Sequence, residues 1–337
     1  MRATPIPVIR SAVLAHEAAT ARGRLVHRLQ DDSARERRAL VEGLRARDPS
    51  IAPKYFYYRL GCALFEAICE LPEYYPTRTE RAIFAGHRAA IVAAAGTGTQ
   101  LVDLGAGDCA KALEWIPFLA PSRYVAVDIA ASAIRAGLAR IAARHPALDT
   151  LGVVADFTQG LDLRDEIGAE RATFFYPGSS IGNFAPVDAA ALLAALRGHC
   201  RSLGSGQLIG ADTRKDHGRL VAAYDDALGV TAAFNRNVLL HVNRVLGCDF
   251  DPAAFAHRAS YDERRGRIEM HLEVVRDCSV DLDGVPRRFR AGERIHTENS
   301  YKYAPEAFVD MLRTAGFGNV RTWQDEAGDF AVYYASA

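Results

Sequence analysis

The stretch from Gln100 to Lys111, reading Gln-Leu-Val-Asp-Leu-Gly-Ala-Gly-Asp-Cys-Ala-Lys, constrains this chain more than any other. A short apolar run carrying Asp103 stops at Gly105 and Gly107, and an Ala/Leu-rich helical pattern from Ala110 to Leu119 follows directly. That order predicts strand, glycine turn, helix. Two glycines this close allow positive φ and let backbone approach a ligand with no Cβ between them, while the new helix N-terminus aims its free N–H groups at the same point. A nucleotide-like cofactor suits such a turn.

Which cofactor follows partly from what is missing. A dinucleotide fold normally places a third glycine where the helix packs on its strand, and here that position is Ala110, which weakens the case for a pyrophosphate. Asp103 lies on the strand before the turn, where a carboxylate suits a cationic amine. A second strand, Tyr124 to Asp128, ends in an acid suited to a ribose diol, and a third, Leu151 to Phe157, ends in Asp156 and Phe157, suited to the amine and face of adenine. Together these fit S-adenosylmethionine. Taken singly, each acid reads equally well as a cap on the helix that follows it.

The length of 337 residues suits two domains, or one domain with a large insertion. Lys and Arg total 41 against 41 Asp and Glu, so no net field draws in nucleic acid or an anionic membrane, and a small-molecule partner is expected. Cysteines at 62, 69, 109, 200, 248 and 278 show neither zinc-ligand nor disulfide spacing, so no metal is expected and the thiols read as buried groups in a reducing compartment. No apolar run approaches a membrane span; Ser11 to Ala15 is cut short by His16 and Glu17. A soluble, cytoplasmic monomer is expected.

Residues 12–48 place Leu25, Leu29, Leu40 and Leu44 at helical intervals, predicting one or two amphipathic helices. From Lys54 to Thr79 the texture changes: five tyrosines and two phenylalanines, broken by Pro72 and Pro76, form a segment able to line a pocket with apolar bodies and polar tips, or simply a core-lining loop. A fourth strand from Ala172 runs into Pro177-Gly-Ser-Ser-Ile-Gly-Asn183, where Asn183 offers an amide oxygen to an amine or serves as a turn residue. Residues 188–200 read as helix and 207–212 as the fifth strand. A long helical stretch over 216–246, then strands at 267–276 and 293–303 about a polar loop at 281–287, read as an inserted substrate-covering domain. A helix over 307–315 and strands at 319–323 and 330–334 close the chain.

Leu71-Pro-Glu-Tyr-Tyr-Pro-Thr-Arg78, Gly178-Ser-Ser-Ile-Gly-Asn183, Ala223-Tyr-Asp-Asp-Ala227, Gly229-Val-Thr-Ala-Ala-Phe-Asn-Arg-Asn237, Ile268-Glu-Met270 and Thr297-Glu-Asn-Ser-Tyr-Lys302 together resemble the histidine-specific Nα-methyltransferases of ergothioneine biosynthesis. The resemblance runs from Lys54 to Ala337. It implies a Rossmann-like α/β class I methyltransferase with a seven-stranded sheet, S-adenosylmethionine as methyl donor, and conversion of L-histidine to hercynine. It implies a cofactor domain made of 1–213 and 303–337, a substrate-binding insertion at 214–302, and a contribution to the pocket from 55–98. Gly105, Lys111, Asp128, Asp156, Phe157 and Tyr74 are implied on the cofactor. Tyr57 and Asn183 are implied at the reacting amine, Tyr224 at the substrate carboxylate and Glu298 with Ser300 at the imidazole, with Phe65, Tyr74, Gly178, Thr231 and Met270 as walls. Ala106, Asp108 and Cys109 depart from the small or hydroxylic residues of relatives, which bears on cofactor affinity. A methyltransferase for another amine, such as a tryptophan derivative, and a nicotinamide oxidoreductase are the competing readings.

Overall fold

The computed structural model describes residues 18–20, 23–28 and 33–337. In chain order the first elements are β1 (Ala18–Thr20), β2 (Gly23–His27), α1 (Ser33–Arg45), α2 (Arg59–Cys69), α3 (Tyr75–Gly86) and α4 (Arg88–Ala95). The βα alternation follows: β3 (Gln100–Leu104), α5 (Ala110–Leu119), β4 (Arg123–Asp128), α6 (Ala131–Arg144), β5 (Asp149–Val154), α7 (Arg164–Ile167), β6 (Ala172–Tyr176), α8 (Pro186–His199) and β7 (Gly206–Asp212). Then come α9 (His217–Ala222), α10 (Val230–Leu246), β8 (Phe255–Asp262), β9 (Arg267–Val274), β10 (Cys278–Leu282), β11 (Val285–Phe289) and β12 (Arg294–Tyr301). The chain ends with α11 (Pro305–Thr314), β13 (Val320–Gln324) and β14 (Phe330–Ser336).

The main sheet has the order β1-β2-β5-β4-β3-β6-β7-β14-β13. Strands β3 to β7 are parallel and β14 runs antiparallel between β7 and β13. Because strand side chains alternate, Val102, Leu104, Val125 and Val127 enter one core with α8 and α11, while Leu101, Tyr124 and Ala126 enter another with α3 to α6. Burial on both faces explains why these strands read as unbroken apolar runs. The order reverses between β3 and β6, and the crevice beyond the carboxyl ends of the strands at that point is where a doubly wound sheet binds ligand.

A second, three-stranded antiparallel sheet, β12-β9-β8, packs one face on α10 and carries a core of its own. Leu40, Leu44, Tyr55, Phe56 and Ile68 from the early helices join Val238, Leu239, Met270, Leu272 and Ile295 there. Among the described residues no helix is long and apolar enough to cross a membrane.

Several expectations change. The seven strands are present, but β1 and β2 extend the sheet to nine. The helical reading of 12–48 holds from Ser33; residues 12–17 and Leu29 lie outside the described residues, and Leu25 is buried in β2, which pairs in parallel with β5. The helix over 216–246 is two, because the Asp226 carboxylate accepts N–H bonds from Val230 (2.9 Å) and Thr231 (2.7 Å) and so caps a fresh start after Gly229. The polar loop at 281–287 is a hairpin, β10–β11, turned by Asp283 and Gly284 with φ of 59° and 80°. Strand β8, which borders β9, has no counterpart in the sequence reading because His257, Arg258 and Asp262 interrupt its apolar alternation.

Candidate active site

The glycine turn forms as its residue types demand. Gly105 and Gly107 adopt φ of 65° and 51°, and a Cβ on Gly107 meets nothing within 4 Å, so the backbone here borders open space. The tip of β4 is tied to it: the Asp128 carboxylate accepts N–H bonds from Gly107 and Ala130, both at 2.8 Å. Asp128 therefore orders the turn with one lone pair on each oxygen and keeps others for a ligand. Asp103 is turned inward, accepting from the Tyr124 hydroxyl at 2.7 Å; burial pushes its carboxyl up to about 7. It faces no amine.

Asp156 caps the turn that follows it and pairs with a lysine. One oxygen accepts from the Thr158 N–H at 3.1 Å, the helix-cap reading, and the other meets Lys54 at 3.1 Å. Phe157 stacks 6.4 Å from Phe184 and stands edge-on to Tyr176 at 5.9 Å. Lys111 is held by Glu80 at 2.6 Å, and the other Glu80 oxygen accepts from the Gly178 N–H at 2.6 Å. Glu80, buried on α3, thus joins α5 to the loop after β6. The sequence reading passed over it because one Glu on a helix reads as solvated face.

On the other side of the crevice an aromatic wall takes shape. Phe65 stands edge-on to Tyr57 (5.9 Å) and Tyr74 (6.2 Å), and Tyr74 edge-on to Tyr224 (6.1 Å). Burial first, then the facing Glu298 carboxylate, pushes the Tyr57 phenol well above its ordinary range, so Tyr57 and Glu298 share one space. Among the described residues the hydroxyls of Tyr57 and Tyr74 and the Asn183 amide make no hydrogen bond, which leaves all three for a ligand. Met270 is the cross-strand neighbour of Glu298, so their side chains emerge on one face of the small sheet. Thr231 is buried at the start of α10.

Strand alternation also sets Glu298 and Ser300 on β12 in a row with Lys302, the residue just past its end. Glu298 is buried and accepts no hydrogen bond among the described residues; burial pushes its carboxyl up to about 7, with Lys302 opposing. Lys302, buried, donates to Ser300 and Tyr224, each at 2.9 Å, and pairs with Asp212 at 2.7 Å. Asp212, at the end of β7, also takes Lys215 (2.5 Å) and the Tyr75 hydroxyl (2.8 Å). None of Tyr75, Asp212, Lys215 and Lys302 was singled out in the sequence.

The two halves meet at Gly182. A Cβ there would lie 2.7 Å from the Tyr301 carbonyl oxygen and 3.5 Å from Ser300 Oγ, so only glycine lets the loop before Asn183 lie flat on β12. Asn183 is thereby brought beside the Glu298–Ser300 strand, while Gly178 at the head of the same loop touches Lys111 and Glu80 of the glycine-turn side.

Comparison with known proteins bears on this arrangement. The profile of a family described as histidine-specific methyltransferase, SAM-dependent, matches residues 36–337. The chain belongs to this family. Within it, the chain is 42% identical over 322 residues to the histidine N-alpha-methyltransferase of Mycolicibacterium smegmatis, covering 92% of this chain and 98% of that one. It is 40% identical over 309 residues to the protein of the same description from Mycobacterium tuberculosis, covering 89% and 94%. A 4-dimethylallyltryptophan N-methyltransferase of Trichophyton verrucosum is 25% identical over 309 residues, covering 86% and 90%. As a member of a SAM-dependent family, the chain takes S-adenosylmethionine as methyl donor.

Proposed function

We propose that this methyltransferase acts on the α-amine of L-histidine and carries it through three rounds to hercynine. The observation that carries the reading is Glu298: a buried carboxylate without a hydrogen-bond partner among the described residues, beside Ser300 and facing Tyr57, is an acceptor waiting for an N–H, and an imidazole supplies one. An indole also offers an N–H but has no second nitrogen for Ser300, which favours histidine over a tryptophan derivative.

The open glycine turn and the acids at the strand tips suit the cofactor, with Gly105 and Gly107 against its methionine end, Asp128 on the ribose, Asp156 and Phe157 on the adenine, and Lys111 and Tyr74 alongside. When bound it supplies an electrophilic methyl group. The protein's own work is positioning, for which alignment is worth up to ~7–11 kcal/mol in favourable cases. Asn183 and Tyr57, with free polar atoms, orient the amine; Asn183 accepts one amine hydrogen and tolerates its loss as methyls accumulate. Tyr224, held against Lys302, presents the positive side of the pocket to the substrate carboxylate. Phe65, Gly178, Thr231 and Met270 close the walls. The same reading assigns 214–302, with 55–98, to a substrate-binding lobe, and has a cytoplasmic monomer at work without a nucleic-acid or membrane partner.

Incubation with histidine and S-adenosylmethionine, followed by mass spectrometry, is expected to show gains of one, two and three methyls; methylation of a tryptophan derivative but not of histidine would overturn the assignment. In the same assay Asn183→Ala is expected to lower kcat at least tenfold, with a smaller change in histidine affinity measured by calorimetry (a lost hydrogen bond to a charged or developing charge costs ~1.5–3 kcal/mol). Equal losses in both would reduce Asn183 to a binding role.

A further inference from the structure

The loop that ends in Asn183 begins on an uncommon backbone. Gly178 and Ser179 are consecutive residues with positive φ, 84° and 58°, and at Ser179 that conformation disfavours an L side chain. Two bonds hold the pair in it. The Gly178 N–H donates to Glu80 Oε1 at 2.6 Å, and the Asp212 N–H donates to Ser179 Oγ at 2.8 Å. One tight turn, Ser180–Asn183, closed by the Gly182 N–H on the Ser179 carbonyl at 2.9 Å, then delivers Asn183. A shift at Gly178 therefore passes directly to Asn183.

The first of these two bonds is anchored on the cofactor side. The other Glu80 oxygen, Oε2, accepts from Lys111 at 2.6 Å, and Lys111 stands in the first turn of α5, just past the glycine turn. Glu80 itself is 1% exposed. A Cβ on Gly210 of β7 would lie 2.2 Å from Glu80 Oε1, and one on Gly178 would lie 2.9 Å from Lys111 Nζ, so two glycines make room for the carboxylate and its ammonium. We propose that Glu80 is a positioning residue that keeps the amine-orienting loop in register with the methyl donor, gripping Lys111 on the cofactor side and Gly178 on the substrate side with one carboxylate. The inference rests on the reading that Lys111 contacts the cofactor and Asn183 the amine. An in-line displacement is sensitive to such register, since a misplacement of ~1 Å can cost ~100-fold in rate.

Glu80→Gln tests this, because an amide has one acceptor atom where the carboxylate uses two. A charged donor binds that oxygen more strongly than a neutral one, so the oxygen goes to Lys111 and the Gly178 N–H is left facing an NH2 group. In the ligand-free protein, amide hydrogen exchange over residues 178–183 is expected to speed up. By calorimetry the variant should bind histidine and the demethylated cofactor product within about threefold of the parent, while kcat falls roughly 10- to 100-fold. General loosening would weaken binding as well. Unchanged exchange or unchanged kcat would overturn the proposal, and so would losses of affinity as large as the loss of kcat. Gly210→Ala repeats the test with Glu80 in place, since its Cβ crowds Oε1, the oxygen that holds Gly178. The same split is expected, and this variant decides alone if Glu80→Gln does not fold. Lys111→Met probes the underlying reading. It is expected to weaken binding of the demethylated product roughly tenfold. Normal affinity there would mean that the reading has failed, whereas weakened Lys111→Met beside an unaffected Glu80→Gln would sink the proposal alone.

Discussion

Glu298→Gln is expected to weaken histidine binding by roughly 10- to 100-fold while making the ligand-free protein more stable above neutral pH. The two effects share one cause. Glu298 is 8% exposed, and burial raises its carboxyl from 4.5 to about 7 in the folded chain. In the unfolded chain the group ionises at its ordinary value, so the folded state binds the proton more tightly. Stability from this group is therefore fully present below about 4.5 and is lost as pH rises through about 7. A difference of about 2.5 in pKa corresponds to ~3 kcal/mol at pH 8. Glutamine keeps the shape without the charge. Thermal melts of variant and parent should coincide near pH 4.5 and diverge progressively to pH 8, the variant melting higher. Calorimetry should show cofactor affinity intact. A variant that melts lower than the parent at pH 8, or binds histidine normally, would falsify the idea that this carboxylate is kept buried and unpaired for its ligand.

How much of this site the sequence disclosed depended on the range of the interactions. The glycine turn and the acids at Asp128 and Asp156 were legible because their partners are close in sequence or are backbone groups of the same βα unit: Ala130 for Asp128, Thr158 for Asp156. The row Glu298, Ser300, Lys302 was half legible. All three lie in the motif Thr297-Glu-Asn-Ser-Tyr-Lys302, but its lysine reads as an ordinary strand-end residue until Asp212, 90 positions earlier, is found against it. Glu80 was invisible for the same reason: its partners, Lys111 and the Gly178 N–H, come from two other elements. The strand β2 was misread because Leu25 and Leu29 happen to stand at helical spacing, whereas pairing with β5 decides its conformation. The hairpin at 278–289 was a different kind of miss. Its Asp-Gly signal was present in the sequence, hidden among charged residues that suggested a solvated loop.

Replacing Asp212 is expected to be the most destabilising polar substitution in the molecule, on the order of 3–5 kcal/mol for Asp212→Asn. Burial acts to raise this carboxyl, but Lys302 and Lys215 outweigh it and hold the group below the usual carboxylate range. Its stabilising contribution is thus present above the ordinary Asp value and lost as pH falls through the lowered one. The geometry explains the size of the effect. Both carboxylate oxygens accept from the Tyr75 hydroxyl at 2.8 and 2.9 Å, and each meets one ammonium, at 2.5 and 2.7 Å. Asparagine would leave the two buried ammoniums facing each other without their counterion. Urea denaturation at neutral pH measures the loss, and Asp212→Asn combined with Lys302→Met should recover part of it, since one uncompensated charge goes with the lysine. A cost below about 1 kcal/mol for Asp212→Asn alone would show that the cluster is solvated and carries no such role. Function should follow stability here. The Asp212 N–H donates to Ser179 Oγ at 2.8 Å and its carbonyl accepts from the Tyr303 N–H at 3.0 Å, so one residue ties the end of β7 to the loop bearing Asn183 and to the end of β12 bearing Ser300. Loosening it should lower kcat by freeing the loop that aims the amine, even in protein that remains folded.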